Sequence, residues 1–225
     1  ERSISGCFFP VEKTVTEKKI LEVNKIHLVL GSIEINVLID DISRLIKQYK
    51  SEYNLKNFDD YRENISYLHP YDTKDVIFVK DLLQIALKRE IRKIIIDKLF
   101  KKYVTNDEVG FCQELYITED QIKLMITNGM HVGSHSYSHE WLNRLNPRDQ
   151  ENEIIRSTKF LKKLGIDHHE FVMSYPYGGY DNGLINILNE NNFKLAFTTR
   201  PGKTVLSKTN AFMLERYDTN DFSYN

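Results

Sequence analysis

The sequence predicts a parallel α/β domain. Three observations point there: a regular strand–helix alternation after Thr118, capping and glycine residues where each of those helices starts and stops, and a short apolar run at residues 4–9. Strand, helix, strand, helix, strand is the order that a parallel layout requires.

Taken in order, Ile4-Ser5-Gly6-Cys7-Phe8-Phe9 ahead of Pro10 reads as a short buried strand that the proline ends, with Cys7 a buried thiol. Residues 34–50 and 75–104 carry helical periodicity. In the second, Leu82, Leu83, Ile85, Ala86, Ile91, Ile94, Ile95, Leu99 and Phe100 make a broad apolar stripe. The stretch 53–72 is polar and aromatic, with Pro70 as a breaker. Residues 18–115 are thus expected to form a largely helical insertion, long for a strand-to-strand connection and a suitable place for contact between copies in a homo-oligomer. Lys88, Arg89, Arg92, Lys93, Lys98, Lys101 and Lys102 match the polar face of one helix and read as solvated, since Glu90 and Asp97 interrupt them.

From Thr118 the signals sharpen. Thr118-Glu119-Asp120-Gln121 is a capping box, and Gly129 closes the helix that it opens. Residues 129–134 form the next strand. Asn146-Pro147 starts a helix whose face Ile154, Ile155, Phe160, Leu161 and Leu164 is apolar, and Gly165 ends it. Phe171 to Ser174 is a strand, Asp181 caps a helix reaching Asn191, and Lys194 to Thr199 is a further strand.

Composition narrows the function. The 225 residues suffice for one well-buried domain, and a formal charge of −1 gives no attraction for nucleic acid. No run approaches the roughly 18 apolar residues of a membrane span. Cys7 and Cys112 are too few for a disulfide framework. The sequence opens on Glu1 with no signal peptide, so a cytoplasmic location is expected, with export or the cell surface as the alternative.

The chemistry concentrates in Gly133-Ser134-His135-Ser136-Tyr137-Ser138-His139. Imidazole is the commonest protein ligand for zinc-like metals, and a catalytic site needs about three ligands plus an open position. Histidines at i and i+4 share one side of a helix or a strand, so His135 and His139 can face one ion. His131 continues the spacing, but about 13 Å of strand separates it from His135, which makes it structural. His168-His169, beside Asp167 and Glu170, reads as an exposed loop rather than a surface metal site. A second element, Ser174-Tyr175-Pro176-Tyr177-Gly178-Gly179, is a turn after an apolar run. Aromatic faces stack on sugar rings, which makes Trp141 and Tyr175 candidate groove residues, with core packing the equal alternative for each. No Gly-x-Ser-x-Gly elbow surrounds Ser136 and no His-Glu-x-x-His occurs, which argues against a serine hydrolase and a zinc protease.

Together these elements resemble the polysaccharide deacetylase family (the NodB homology domain, carbohydrate esterase family 4). That family carries His-(Ser/Thr)-x-x-His, here residues 135–139, and Arg-x-Pro-Tyr, here Ser174-Tyr175-Pro176-Tyr177 with serine in the arginine place. The likeness spans about residues 118–216 with a short match at 3–10. It implies a distorted (β/α) barrel of the deacetylase type, N-terminally incomplete: a single domain over 1–225 lacking its first strand, with 18–115 as the helical insertion.

The resemblance also implies roles. His135 and His139 would hold a divalent metal, zinc first and cobalt, nickel or manganese as alternatives. Tyr177 would present its backbone N–H to an oxyanion, Tyr175, Pro176 and Trp141 would meet the substrate, and Ser136 and Ser138 would orient the imidazoles. The family's Thr-Phe-Asp-Asp-Gly, source of a general base and a third ligand, has no counterpart and is expected upstream of Glu1. Asn57-Phe58-Asp59-Asp60-Tyr61 is no substitute, because polar residues 52–56 precede it instead of a strand, and Asp40-Asp41 reads as a solvated pair on a helix. The family's Leu-x-His reads Leu214-Glu215-Arg216. Arg216 cannot act as an acid, its pKa exceeding about 12, but it can pair with a carboxylate at the site. The implied activity is removal of N-acetyl groups from an amino sugar or polysaccharide. The rival is an inactive carbohydrate-binding or scaffold protein on the same fold. With two of three ligands, this chain is expected to bind metal weakly or not at all.

Overall fold

A computed structural model describes residues 4–63, 72–204 and 211–222. Pro70, the expected breaker, lies outside these described residues. The chain runs β1 (Cys7–Phe8), α1 (Glu12–Thr16), α2 (Glu22–Ser32), α3 (Ile35–Tyr53), α4 (Phe58–Arg62), α5 (Lys74–Asp81), a π turn (Leu82–Ala86), α6 (Arg89–Tyr103), α7 (Glu108–Leu115), α8 (Glu119–Thr127), β2 (His131–Val132), α9 (Pro147–Lys163), β3 (Val172–Ser174), α10 (Asn182–Glu190) and β4 (Leu195–Phe197). Two compact units result: Glu1–Lys19 with Cys112–Asn225, and Ile20–Phe111.

The first unit is α/β with small, unclosed parallel sheets. β1 pairs with β2 in the register Cys7 to His131, and β3 pairs with β4 in the register Met173 to Ala196. Parallel bridges from Ser134 to Met173 and from Phe197 to Leu214 extend this order. The helices lie where the caps place them. Thr118 and Gln121 form the capping box of α8, Asn146 accepts from Asp149 N with Pro147 in the first turn of α9, and Asp181 accepts from Leu184 N on α10. Gly129 and Gly165 take the left-handed conformation just past α8 and α9, at φ 79° and 86°.

Val132, Met173 and Ala196 of the strands, with Phe171 just before β3, pack with Ile154 and Leu161 of α9 and with Leu184 and Leu188 of α10. Gly133 is required by close approach: a Cβ there would meet the Val172 carbonyl oxygen at 2.8 Å and the Phe9 ring at 2.6 Å. Cys7 is exposed, contrary to the sequence expectation, as are Ile4 and Phe8. β2 is the only partner of β1 among the described residues, so little covers that strand.

The unit 20–111 is helical. Leu38, Ile42 and Ile46 of α3 and Ile91, Ile95, Leu99 and Phe100 of α6 are buried. The stripe expected over 75–104 is not one helix. Leu87 and Lys88 are extended (ψ 142° and 147°) after the π turn, and Ile85 and Ala86 are exposed. No proline or glycine marks this break, and Leu82, Leu83 and Leu87 around it are all buried.

Asp41, expected to be solvated, is 6% exposed. It accepts from Lys102 and Tyr103 of α6 and pairs with Arg44 at 2.6 Å. Burial works against its charge, but these donors prevail and hold the carboxyl below the usual range. On the basic face of α6, Lys102 pairs with Asp41 and Arg92 with Glu22 at 2.8 Å, while Lys88, Arg89, Lys93, Lys98 and Lys101 are exposed, as a solvated face requires. Asn57 and Asp60 form the capping box of α4, a local role for that acidic pair. No described helix is long and apolar enough to cross a membrane.

Candidate metal and substrate site

The site begins where β2 ends. Ser134 N donates to Val172 O at 2.8 Å and Ser174 N to Ser134 O at 2.9 Å, which sets His135 beside the end of β3. His135 Nδ1 then lies 2.5 Å from the Ser174 carbonyl oxygen. A carbonyl only accepts, so Nδ1 carries the proton and Nε2 keeps the lone pair that a metal needs. Ser174, which stands in the arginine place, therefore serves through its main chain.

Residues 135–139 make a strained loop. Ser136 and His139 hold φ of 63° and 62°, the left-handed region that side chains disfavour by about 1–2 kcal/mol each. Several bonds offset this. Ser136 N donates to Ser134 Oγ at 3.1 Å and His139 N to Ser136 Oγ at 3.0 Å. Glu153 of α9, 6% exposed, accepts from Tyr137 N at 3.0 Å, from Ser138 N at 2.8 Å and from the Ser138 hydroxyl. Lys13 N donates to Tyr137 O at 3.0 Å, and the Arg156 guanidinium lies 3.4 Å from the centre of the Tyr137 ring. Ser136 and Ser138 thus hold the loop's backbone, and it is the Ser174 carbonyl that orients an imidazole.

The rings of His135 and His139 are 4.8 Å apart between centres. Burial lowers the basicity of His135, and the positive charge of Arg216 lowers it further against the opposing pull of the Ser174 carbonyl. Burial first, then the neighbouring His135, brings His139 down to about 3. Both are therefore neutral at neutral pH, the form in which imidazole binds metal.

Tyr177 follows β3 in a left-handed turn (φ 56°, ψ 11°), with Gly178 at φ 69° behind it. The Tyr177 ring lies 4.7 Å from that of His139 and stacks on Trp141 at 4.5 Å, 4° from parallel. Arg144 covers Trp141 at 4.7 Å. His135, His139, Tyr177 and Trp141 form one continuous row. Within it His139 Nδ1 and Trp141 Nε1 are buried without a hydrogen-bond partner among the described residues.

The other expected substrate residues fall elsewhere. Tyr175 is 0% exposed, stacks on Tyr180 and donates its hydroxyl to Phe212 O at 3.1 Å. It is a core residue, not a groove residue, because the side chain after the strand points inward with Met173. Pro176 is also buried and shapes the turn from beneath. Arg216 is exposed.

The sequence reading overlooked Glu153, Lys13, Arg144 and Arg156. A signal existed for the first: Gln150, Glu153 and Ser157 lie on the buried face of α9 at helical spacing, where polar residues require partners.

The donor set suits a divalent cation: a protonated Nδ1 on His135 leaves its Nε2 available, and His139 has a buried nitrogen in search of a partner. No third His, Cys, Asp or Glu among the described residues groups with this pair. The three-residue group that does converge is Asp167, His168 and His169, all exposed, whose ligand atoms lie within 4.8 Å of one another and can accept a divalent metal.

A model of the polysaccharide deacetylase family matches residues 61–196, more than half of the chain. The chain is 30% identical over 87 residues to the "Putative polysaccharide deacetylase YxkH" of Bacillus subtilis (strain 168), covering 39% of this chain and 31% of that protein. It thus spans about a third of the length of the curated relative that it matches. Among solved structures it is similar to the Streptococcus pyogenes deacetylase PplD in complex with acetate (29% identity, 44% of this chain and 43% of that one, TM-score 0.42). It is also similar to IcaB from Ammonifex degensii (27% identity, 37% and 40%, TM-score 0.32). This chain belongs to the polysaccharide deacetylase family.

Proposed function

We propose that the chain forms part of a metal-dependent hydrolase that removes N-acetyl groups from an amino sugar or polysaccharide. The observation that carries this reading is the convergence of the two neutral imidazoles of His135 and His139 on the left-handed turn at Tyr177. His135 through Nε2 and His139 would hold the cation, zinc first by ligand type. Such an ion, when bound, supplies Lewis acidity and a nucleophile at neutral pH. Ser174 fixes the tautomer of His135. The Tyr177 backbone N–H would stabilise the developing oxyanion, held by a turn that Pro176 stiffens from below. Trp141 would offer a sugar its remaining free surface. Arg216, whose charge reaches His135, would pair with a carboxylate.

The parallel order from β1 to Leu214 supports a further reading, that these strands are a segment of a distorted (β/α) barrel into which residues 18–115 are inserted as a helical cap or as a contact between copies. The test of function is acetate release. The gene product in which these residues stand should liberate acetate from N-acetylglucosamine oligomers with added Zn²⁺ or Co²⁺, and His139→Ala should abolish it. No release across a panel of acetylated sugars and metals would overturn the proposal.

One observation favours a second reading, a catalytically inactive carbohydrate-binding or scaffold protein. A third ligand is lacking beside His135 and His139 among the described residues. Sugar binding without acetate release would establish that alternative.

A further inference from the structure

Outside the row of His135, His139, Tyr177 and Trp141, one other group of metal-ligating side chains converges: Asp167, His168 and His169 in the turn between α9 and β3. We propose that this turn is a second, surface-held binding site for a zinc-like divalent cation, independent of the His135/His139 pair.

The geometry builds it from the backbone outward. The turn is tied down at both ends: Ile166, 8% exposed, donates its N–H to Leu161 O at 3.1 Å, and fully buried Phe171 accepts from Lys194 N at 2.8 Å. Between these anchors Asp167 caps the short helical turn His168–Glu170 by accepting from His169 N at 2.8 Å. That bond fixes the carboxylate against the turn. The same oxygen, Oδ1, lies 3.2 Å from His168 Nδ1. The two imidazoles sit with centres 3.9 Å apart and planes 42° apart, so neighbouring rings share one side of the turn instead of splaying.

Ligand atoms around a tetrahedral zinc stand about 3.4 Å from one another, given bonds of about 2.1 Å. The three atoms here are within 4.8 Å of one another, near that spacing. Two imidazoles and one carboxylate suit Zn²⁺, Cu²⁺ or Ni²⁺, and disfavour Mg²⁺ and Ca²⁺, which prefer all-oxygen ligands. His168 and Asp167 are 50% and 59% exposed in their side chains, so water completes the coordination and an ion enters from solvent without any opening of the fold.

Isothermal titration with ZnCl₂ and with NiCl₂ tests the proposal, using the full chain freed of any affinity tag that carries histidine. Three proteins are compared: wild type, His168→Ala/His169→Ala, and His135→Ala/His139→Ala. The proposal expects one equivalent of Zn²⁺ or Ni²⁺ that survives in the His135/His139 variant and is lost in the His168/His169 variant, while MgCl₂ gives no heat of binding. Asp167→Asn should weaken that equivalent at least severalfold. Unchanged stoichiometry in the His168/His169 variant would overturn the proposal, as would complete loss of binding in the His135/His139 variant. All three side chains are exposed, so their replacement leaves the core intact, and melting curves equal to wild type confirm it. Failure of the His135/His139 site is read separately, as the absence of any equivalent that depends on those two residues.

Discussion

At the residue scale, one buried carboxylate governs the loop that carries the imidazoles. Glu153 accepts from two main-chain N–H groups and one hydroxyl of residues 137 and 138. Removing an acceptor from buried donors costs their desolvation, so Glu153→Ala should destabilise the fold by about 2–3 kcal/mol in denaturant titration. It should also raise amide hydrogen exchange at Tyr137 and Ser138. Ser138→Ala, which deletes a single bond, should cost only about 1 kcal/mol and leave those amides protected. Equal effects of the two variants would show that the loop stands without the carboxylate. The histidines themselves were legible in the sequence by spacing. Their support was not, because Glu153 lies 15 residues beyond Ser138 and reaches it only once α9 is packed.

At the element scale, α3 and α6 are joined by a buried charge. Asp41 on α3 has a depressed carboxyl because Lys102, Tyr103 and Arg44 outweigh the effect of burial. The sign follows from linkage. A carboxyl lowered in the folded state contributes stability that is fully present above its unfolded value of about 3.9 and is lost as pH falls through the lower folded value. The melting temperature of the protein should therefore decline below about pH 4 in wild type more steeply than in Asp41→Asn, which has no such proton to take up. At neutral pH the variant should be the less stable of the two. Parallel acid limbs would refute the role assigned to Asp41. The sequence pattern read Asp41 as one of a solvated pair interrupting an amphipathic helix. Periodicity identifies a helix's apolar stripe but not which flanking charge a neighbouring helix will cover. Periodicity likewise did not reveal the break at Leu87 and Lys88, where the backbone is extended inside a continuous helical pattern.

At the scale of the whole molecule, two hydrophobic cores account for the two compact units. Ile95 sits at 0% exposure in the helical unit and Leu188 at 0% in the α/β unit. Truncating either to alanine should cost about 2–5 kcal/mol through lost burial and the cavity left behind. Native-state hydrogen exchange should locate the damage. Ile95→Ala is expected to raise exchange chiefly within residues 20–111, and Leu188→Ala chiefly in β2, β3, β4, α9 and α10. Uniform loss of protection in both variants would show that the two cores unfold as one.

The sequence by itself determined what is local: the caps at Thr118, Asn146 and Asp181, the left-handed stops at Gly129 and Gly165, the parallel strands, and the His135/His139 pair with its following Tyr177 turn. Each depends on backbone preferences or spacings that act over a few residues. Tertiary structure alone decided that Tyr175 is core, that Cys7 is exposed, and that Ser174 orients His135 through its carbonyl. Those outcomes depend on which surfaces meet after the chain has folded, and burial and hydrogen-bond partners across tens of residues are properties of the packed molecule.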